Sequence, residues 1–293
     1  MPSYTELCAL PMPATQSPIR LFLAIAALLV WPALAQAQTA ANDPQRLVES
    51  EVTAGQRDIA EAWLILPNNR YDHKVLGRSY EAGGLRVRMR DGAVLSFVLP
   101  DEFVFEDRLA RLADLDGDGH DEVIVVMTSL NKGASLAVFG TDSGQLQLKA
   151  QTPFIGQPHR WLNPAAIADF TGEGRPDIAL VQMPHLVKRL ELWTLRNGKL
   201  VRITSFDGVS THQIGSGETK MFATYDANKD GVLDLIVPDS DRQNLLMISF
   251  AGGRAKKVGS IAVPVPALGN FSIQDDVLTV PLANGDVFRT GLE

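Results

Sequence analysis

From residue 58 to residue 291, apolar positions recur every second residue or in continuous runs, and clusters of Gly, Asn and Asp separate them. Short runs rich in Val, Ile, Leu and Phe between turn residues predict many short β-strands rather than helices. The clearest group is Arg111–Asp114, Glu122–Met127, Ala134–Phe139 and Gln145–Ala150, with Thr141-Asp-Ser-Gly144 turning its last hairpin. A second group reads Ala165–Asp169, Asp177–Met183, Arg189–Leu195 and Lys199–Ile203, and Asn197-Gly198 supplies a hairpin turn. A third reads Met221–Tyr225, Asp234–Val237, Leu245–Phe250 and Lys256–Ile261. Partial groups flank these: Ala62–Leu66, Leu85–Met89 and Val94–Leu99 in front, Phe271–Ile273, Val277–Val280 and Val287–Thr290 behind. No long amphipathic helix interrupts the series, so the expectation is an all-β domain.

Each full group has an aspartate-rich turn between its first two strands. The turns are Asp114-Leu-Asp-Gly-Asp-Gly-His-Asp-Glu122, Asp169-Phe-Thr-Gly-Glu-Gly-Arg-Pro-Asp177 and Asp226-Ala-Asn-Lys-Asp-Gly-Val-Leu-Asp234. Oxygen-bearing side chains occupy positions 1, 3, 5 and 9, glycine occupies position 6, and successive first residues lie 55 and 57 apart. A period of that size marks a repeat architecture. Alternate oxygens in a tight turn suit a hard cation such as Ca2+, which takes six to eight oxygen ligands at about 2.3–2.6 Å. Glycine at position 6 allows the positive φ that the turn requires. An EF-hand would place glutamate at position 12 before a helix, but position 12 is Val125 in the first turn and Val237 in the third, both within predicted strands.

A D-x-D/N-x-D-G-x-x-D loop that runs into a β-branched strand and repeats every fifty-odd residues resembles the FG-GAP or VCBS repeats of integrin-α-like β-propellers, in their exported bacterial form. The resemblance covers roughly residues 58–291. It implies one four-stranded antiparallel blade per repeat, with calcium held between the first two strands. The ligand sets it implies are Asp114, Asp116, Asp118, the His120 carbonyl and Glu122 in the first loop, and Asp226, Asn228, Asp230, the Val232 carbonyl and Asp234 in the third. In the second loop the same positions are Asp169, Thr171, Glu173 and Asp177; Thr171 and Glu173 depart from the usual Asp/Asn, and Pro176 stiffens the turn. Because open sheet edges are usually avoided, the expected architecture is a single closed propeller of five blades, with four or six as alternatives, and with the chain ends brought together.

The N-terminus changes this picture only at its edge. Arg20 precedes the apolar run Leu21–Ala35, and Ala35-Gln-Ala37 offers a small-residue cleavage site, so residues 1–37 read as a signal peptide. A retained anchor is the alternative. Residues 38–57 read as a linker or short helix, with Asn42-Asp-Pro44 capping a helix through Glu51, and residues 58–293 as the propeller. The product would be a periplasmic or secreted monomer. The chain's single cysteine, Cys8, falls within the signal, so the exported chain would be stabilised by its core and not by disulfides. A net charge of −7 argues against nucleic acid and against a membrane beyond the signal segment.

In four-stranded blades the 1–2 loops share one face, whereas the 2–3 loops and the blade-to-blade connections share the other. The second face receives Arg70, His73, His159, Arg160, Trp161, His185 and His212, four of the chain's five histidines among them. Such a set could hold an anionic or sugar-like ligand. Two function classes follow. One is a non-catalytic calcium-binding module or scaffold for protein or glycan; the alternative is a secreted hydrolase or lyase with its site on the histidine-bearing face. The chain contains no HExxH, GxSxG or Walker signature.

Overall fold

The computed structural model describes residues 38–292, so the signal segment read over 1–37 lies outside the described residues. The apolar runs form successive antiparallel meanders. The first contains β1 (Thr53–Ala54), β2 (Ile59–Asn68), β3 (Glu81–Met89) and β4 (Val94–Val98). A short strand that the pattern did not predict, β5 (Phe103–Phe105), follows. The second meander is β6 (Arg111–Ala113), β7 (Glu122–Ser129), β8 (Gly133–Asp142) and β9 (Gln145–Gln151). By pairing with both β3 and β7, β5 joins the first two meanders into one nine-stranded sheet.

The third meander is β10 (Leu162–Ala168), β11 (Asp177–Gln182), β12 (Arg189–Arg196) and β13 (Lys199–Asp207). The fourth is β14 (Ala223–Tyr225), β15 (Asp234–Pro238), β16 (Asn244–Ser249) and β17 (Lys256–Ala262). The last has three strands, β18 (Ser272–Gln274), β19 (Val277–Pro281) and β20 (Val287–Gly291). The chain is therefore all-β, as its pattern indicates.

Burial explains the two kinds of strand pattern. All eight residues of β7 are buried, because neighbouring sheets cover both of its faces, and its sequence is a continuous apolar run. The outer strands β9, β13 and β17 keep many exposed positions and carry the alternation. One hydrophobic cluster lies between each successive pair of meanders. In the second, third and fourth meanders the register between the last two strands shifts at one equivalent place, Val138/Phe139, Leu192/Trp193 and Met247/Ile248. An irregularity repeated in phase marks these three meanders as copies of one unit.

Thr53 of β1, Arg111 and Leu112 of β6, Ala166 and Ile167 of β10, and Thr224 of β14 border a common cavity of about 350 Å3. The first strands of four meanders thus face one another. Among the described residues no strand pairing joins the last meander to the first.

The segment before β1 corrects two expectations. Only Ala40–Asn42 forms a 3-10 turn, and no helix runs on to Glu51. Nor is this stretch a linker. Leu47 N–H donates to Leu64 O at 2.9 Å, Leu66 N–H donates to Gln45 O at 2.8 Å, and Leu47 is fully buried. The Asp43 carboxylate accepts from Trp63 Nε1 and from Arg86, each at 2.7 Å. A helix would withdraw these backbone groups from β2, so tertiary pairing overrides the local capping signal.

Candidate metal loops and the opposite histidine face

The three aspartate loops join β6 to β7, β10 to β11 and β14 to β15, and share one backbone conformation. Position 6 has positive φ in each, 89° at Gly119, 82° at Gly174 and 86° at Gly231. Position 4 does as well, at Gly117, Gly172 and Lys229. The carboxylate at position 1 accepts the N–H of position 6 in every loop, at 3.0, 2.7 and 2.9 Å. The carboxylate at position 9 turns back to accept an N–H at position 2 or 3: Glu122 from Leu115, Asp177 from Thr171 and Asp234 from Ala227. Burial pushes the pKa of all three of these acids upward.

The loops differ in what remains for a cation. In the first, Asp114, Asp116 and Glu122 can each bring one oxygen within 4.8 Å of the others. In the third, Asp234 Oδ1 is buried with no hydrogen-bond partner among the described residues, a cost that a cation ligand would remove. In the second, the Thr171 hydroxyl donates to Asp177 at 2.9 Å and the Glu173 carboxylate pairs with Arg196 at 2.8 Å, so positions 3 and 5 already have protein partners. The donor chemistry of the first and third loops fits Ca2+; the second fits it less well.

The first loop carries a feature the other two lack. Extending the register one step beyond Val123–Phe139 sets its closing Glu122 opposite Gly140, where the same step in the other loops sets Thr194 and Ser249 opposite Asp177 and Asp234. A Cβ on Gly140 would meet the Lys149 side chain at 2.1 Å. The lysine thus crosses the glycine and donates to Glu122 Oε1 at 3.0 Å. This loop also leans on the first meander, through Arg57 to Asp121 at 2.9 Å and His120 Nδ1 to Asp58 at 3.2 Å.

On the opposite face the structure gathers most of the residues assigned there. His73 Nδ1 is 2.7 Å from Glu106 Oε1, and Thr128 donates to the other Glu106 oxygen at 3.0 Å. Glu106 is fully buried, which raises its pKa. His159 stacks on Tyr71 at 5.2 Å between ring centroids, lies 5.4 Å from His73, and donates its backbone N–H to the Tyr71 hydroxyl at 2.6 Å. Trp161 donates Nε1 to Glu106 O at 2.9 Å and packs against His212 and His185. His185 Nε2 lies 2.9 Å from His212 Nδ1.

Trp161 is buried in the core between the second and third meanders, so its indole shapes this layer without presenting a free face. Arg160 donates to His159 O at 2.9 Å. Arg70 stands apart: it pairs with Asp101 and Asn68 beside Pro44 and Val98, on the flank of the first meander. Sequence reasoning missed Glu106, Lys188 and Arg242. Glu106 follows the unpredicted strand β5, and the two cations lie in strand-connecting loops with no motif around them.

Residues 114–180 match the family model of the FG-GAP-like repeat. The matched stretch begins at the first residue of the first loop and ends in β11, just past the second loop, so it spans the repeat that the shared geometry defines. The chain thus carries an FG-GAP-like repeat over these residues. Comparison with curated proteins gives no match.

Proposed function

We propose that the protein is an extracytoplasmic, non-catalytic β-propeller of five blades. In this reading calcium braces the first and third aspartate loops, and the opposite face binds a protein or glycan ligand. The observation that carries it is the repetition in phase of loop, strand pair and register shift through three meanders whose first strands border one cavity. A sheet unit that repeats about a common centre is the propeller solution to burying both faces of every blade. Bound calcium would cross-tie positions 1, 3, 5 and 9 of a loop and stabilise the folded state by mass action. Export rests on the N-terminal apolar run and the small-residue site that follows it. Thermal melting in calcium and in excess chelator tests the bracing: calcium should raise the midpoint and chelator should lower it. An unchanged curve would overturn the calcium assignment. Capture of partners from the protein's own periplasm, with and without calcium, tests the binding role.

A second reading, a secreted hydrolase or lyase, is favoured by one contact, the 2.7 Å approach of His73 to the buried carboxylate of Glu106. A carboxylate that orients an imidazole is a recurring part of general-base sites. Turnover of an acidic or neutral polysaccharide that vanishes in His73→Gln with unchanged melting would establish it.

A further inference from the structure

Three loops of the histidine-bearing face border an open cavity of about 370 Å3, lined among others by His185, Lys188, His212, Ser240, Asp241 and Arg242. The loops join β11 to β12, β13 to β14 and β15 to β16, so the cavity lies between the third and fourth meanders. Its two cations share the cavity with the single carboxylate of Asp241. Among the described residues neither forms an ion pair: Lys188 Nζ donates to Ser240 O at 2.8 Å, and Arg242 donates to Gln213 at 2.9 Å. Arg242 is partly desolvated, and burial alone lowers its pKa. Both residues hold positive φ, 57° and 62°, a costly conformation for side chains of this kind.

The histidine pair supplies a hydrogen-bond acceptor rather than charge. His212 Nε2 lies 3.0 Å from Ser216 O, which can only accept, so that nitrogen carries the proton and Nδ1 has the lone pair. His185 Nε2 must then donate to His212 Nδ1, which leaves His185 Nδ1 an acceptor with no protein donor among the described residues. Burial holds the pKa of His185 at about 3 and of His212 at about 4, so both are neutral near pH 7. Two cations and one carboxylate then leave a single positive charge, which matches a carboxylate and leaves a phosphate dianion under-compensated.

We propose that this cavity binds a hydroxylated carboxylate, an acidic sugar of the hexuronate class, with its carboxylate on Lys188 and Arg242 and a hydroxyl donating to His185. The assignment rests on the binding-module reading and narrows its ligand to an acidic glycan. Charge-assisted pairing to arginine supplies the larger share of affinity, and the neutral imidazole selects for a hydroxyl.

The test is calorimetric titration of the full chain, in calcium, with glucuronate, glucose and inorganic phosphate. Glucuronate should bind, glucose at the same concentration should not, and Arg242→Gln and Lys188→Gln should each weaken glucuronate by about tenfold or more. Asp241→Asn should tighten it. Melting curves that match the parent would show that the variants fold. Equal binding of glucose, indifference to both cation variants, no binding of glucuronate, or tighter binding of phosphate would each overturn the assignment. Loss of glucuronate binding with the calcium effect on melting intact would remove only the ligand class. Glucuronate binding through Lys188 and Arg242 without any calcium effect would remove the calcium bracing instead.

Discussion

The two loop-bearing faces of the protein are built at different ranges. In the aspartate loops the hydrogen bonds that set the turn join residues no more than seven apart, such as Gly119 to Asp114 and Leu115 to Glu122. On the histidine face the ties span far more of the chain: 33 residues from His73 to Glu106, 55 from Trp161 to Glu106 and 88 from His159 to Tyr71. A short-range turn needs only glycines and carboxylates at the right spacing, whereas the long-range face exists only once the sheets have packed. Ions should therefore govern the first face, and core packing the second.

The largest expected effect is on the second face. Trp161→Ala removes the indole that joins Glu106 to His212 and fills the core between two meanders, and it should cost about 3–5 kcal/mol in urea denaturation. A loss under about 1 kcal/mol would show that this face does not depend on the core.

Next is calcium on the first face. At a hundredfold excess over its dissociation constant, each occupied loop should add about 2.7 kcal/mol. Asp226→Ala, which removes the position 1 ligand of the third loop, should abolish one such increment in calcium titrations followed by melting. In the second loop, Glu173→Gln should leave the titration unchanged, because Arg196 already holds that carboxylate. Thr171→Ala there should cost about 1 kcal/mol whether or not calcium is present, through the lost hydrogen bond to Asp177. A calcium-dependent cost would place the second loop with the other two.

Acid should act on the histidine face. Burial depresses the pKa of His185 and His212 in the folded protein, so below about pH 6.5 the unfolded chain takes up protons that the folded chain refuses. Stability from this pair is fully present above that pH, and is lost as pH falls through about 4 for His212 and about 3 for His185. His212→Gln should flatten the decline of the melting midpoint between pH 6.5 and 5, and an unaltered slope would assign the decline to carboxylates.

A further change concerns Lys149→Met. Without calcium the variant should melt lower, because buried Glu122 loses its cation. With calcium the deficit should shrink, since the lysine no longer competes for that carboxylate. Parallel shifts in the two conditions would mean that Lys149 and the cation do not share Glu122.

The strands of the middle meanders were legible because each alternates or runs apolar between strong turn signals, and the loops were legible because five chemical choices recur in phase. The helix expected through Glu51 was misread because Asp43 and Leu47 act on Trp63, Arg86 and Leu64, partners that a local capping pattern does not contain. Lys149 in the first loop was missed for a related reason: its relation to Glu122 passes across Gly140, and only strand register brings them together.

By itself, then, the sequence determined the all-β class, the repeat and the position of every aspartate loop, since these depend on residue type at fixed short spacing. Tertiary structure alone decided that Tyr71, His73, Glu106 and His159 meet, and that Arg70 does not join them. It alone brought Lys188 and Arg242 beside His185, with no ion pair to either among the described residues. Side chains from distant strands become neighbours only through the register and packing of whole sheets, and no local spacing encodes that.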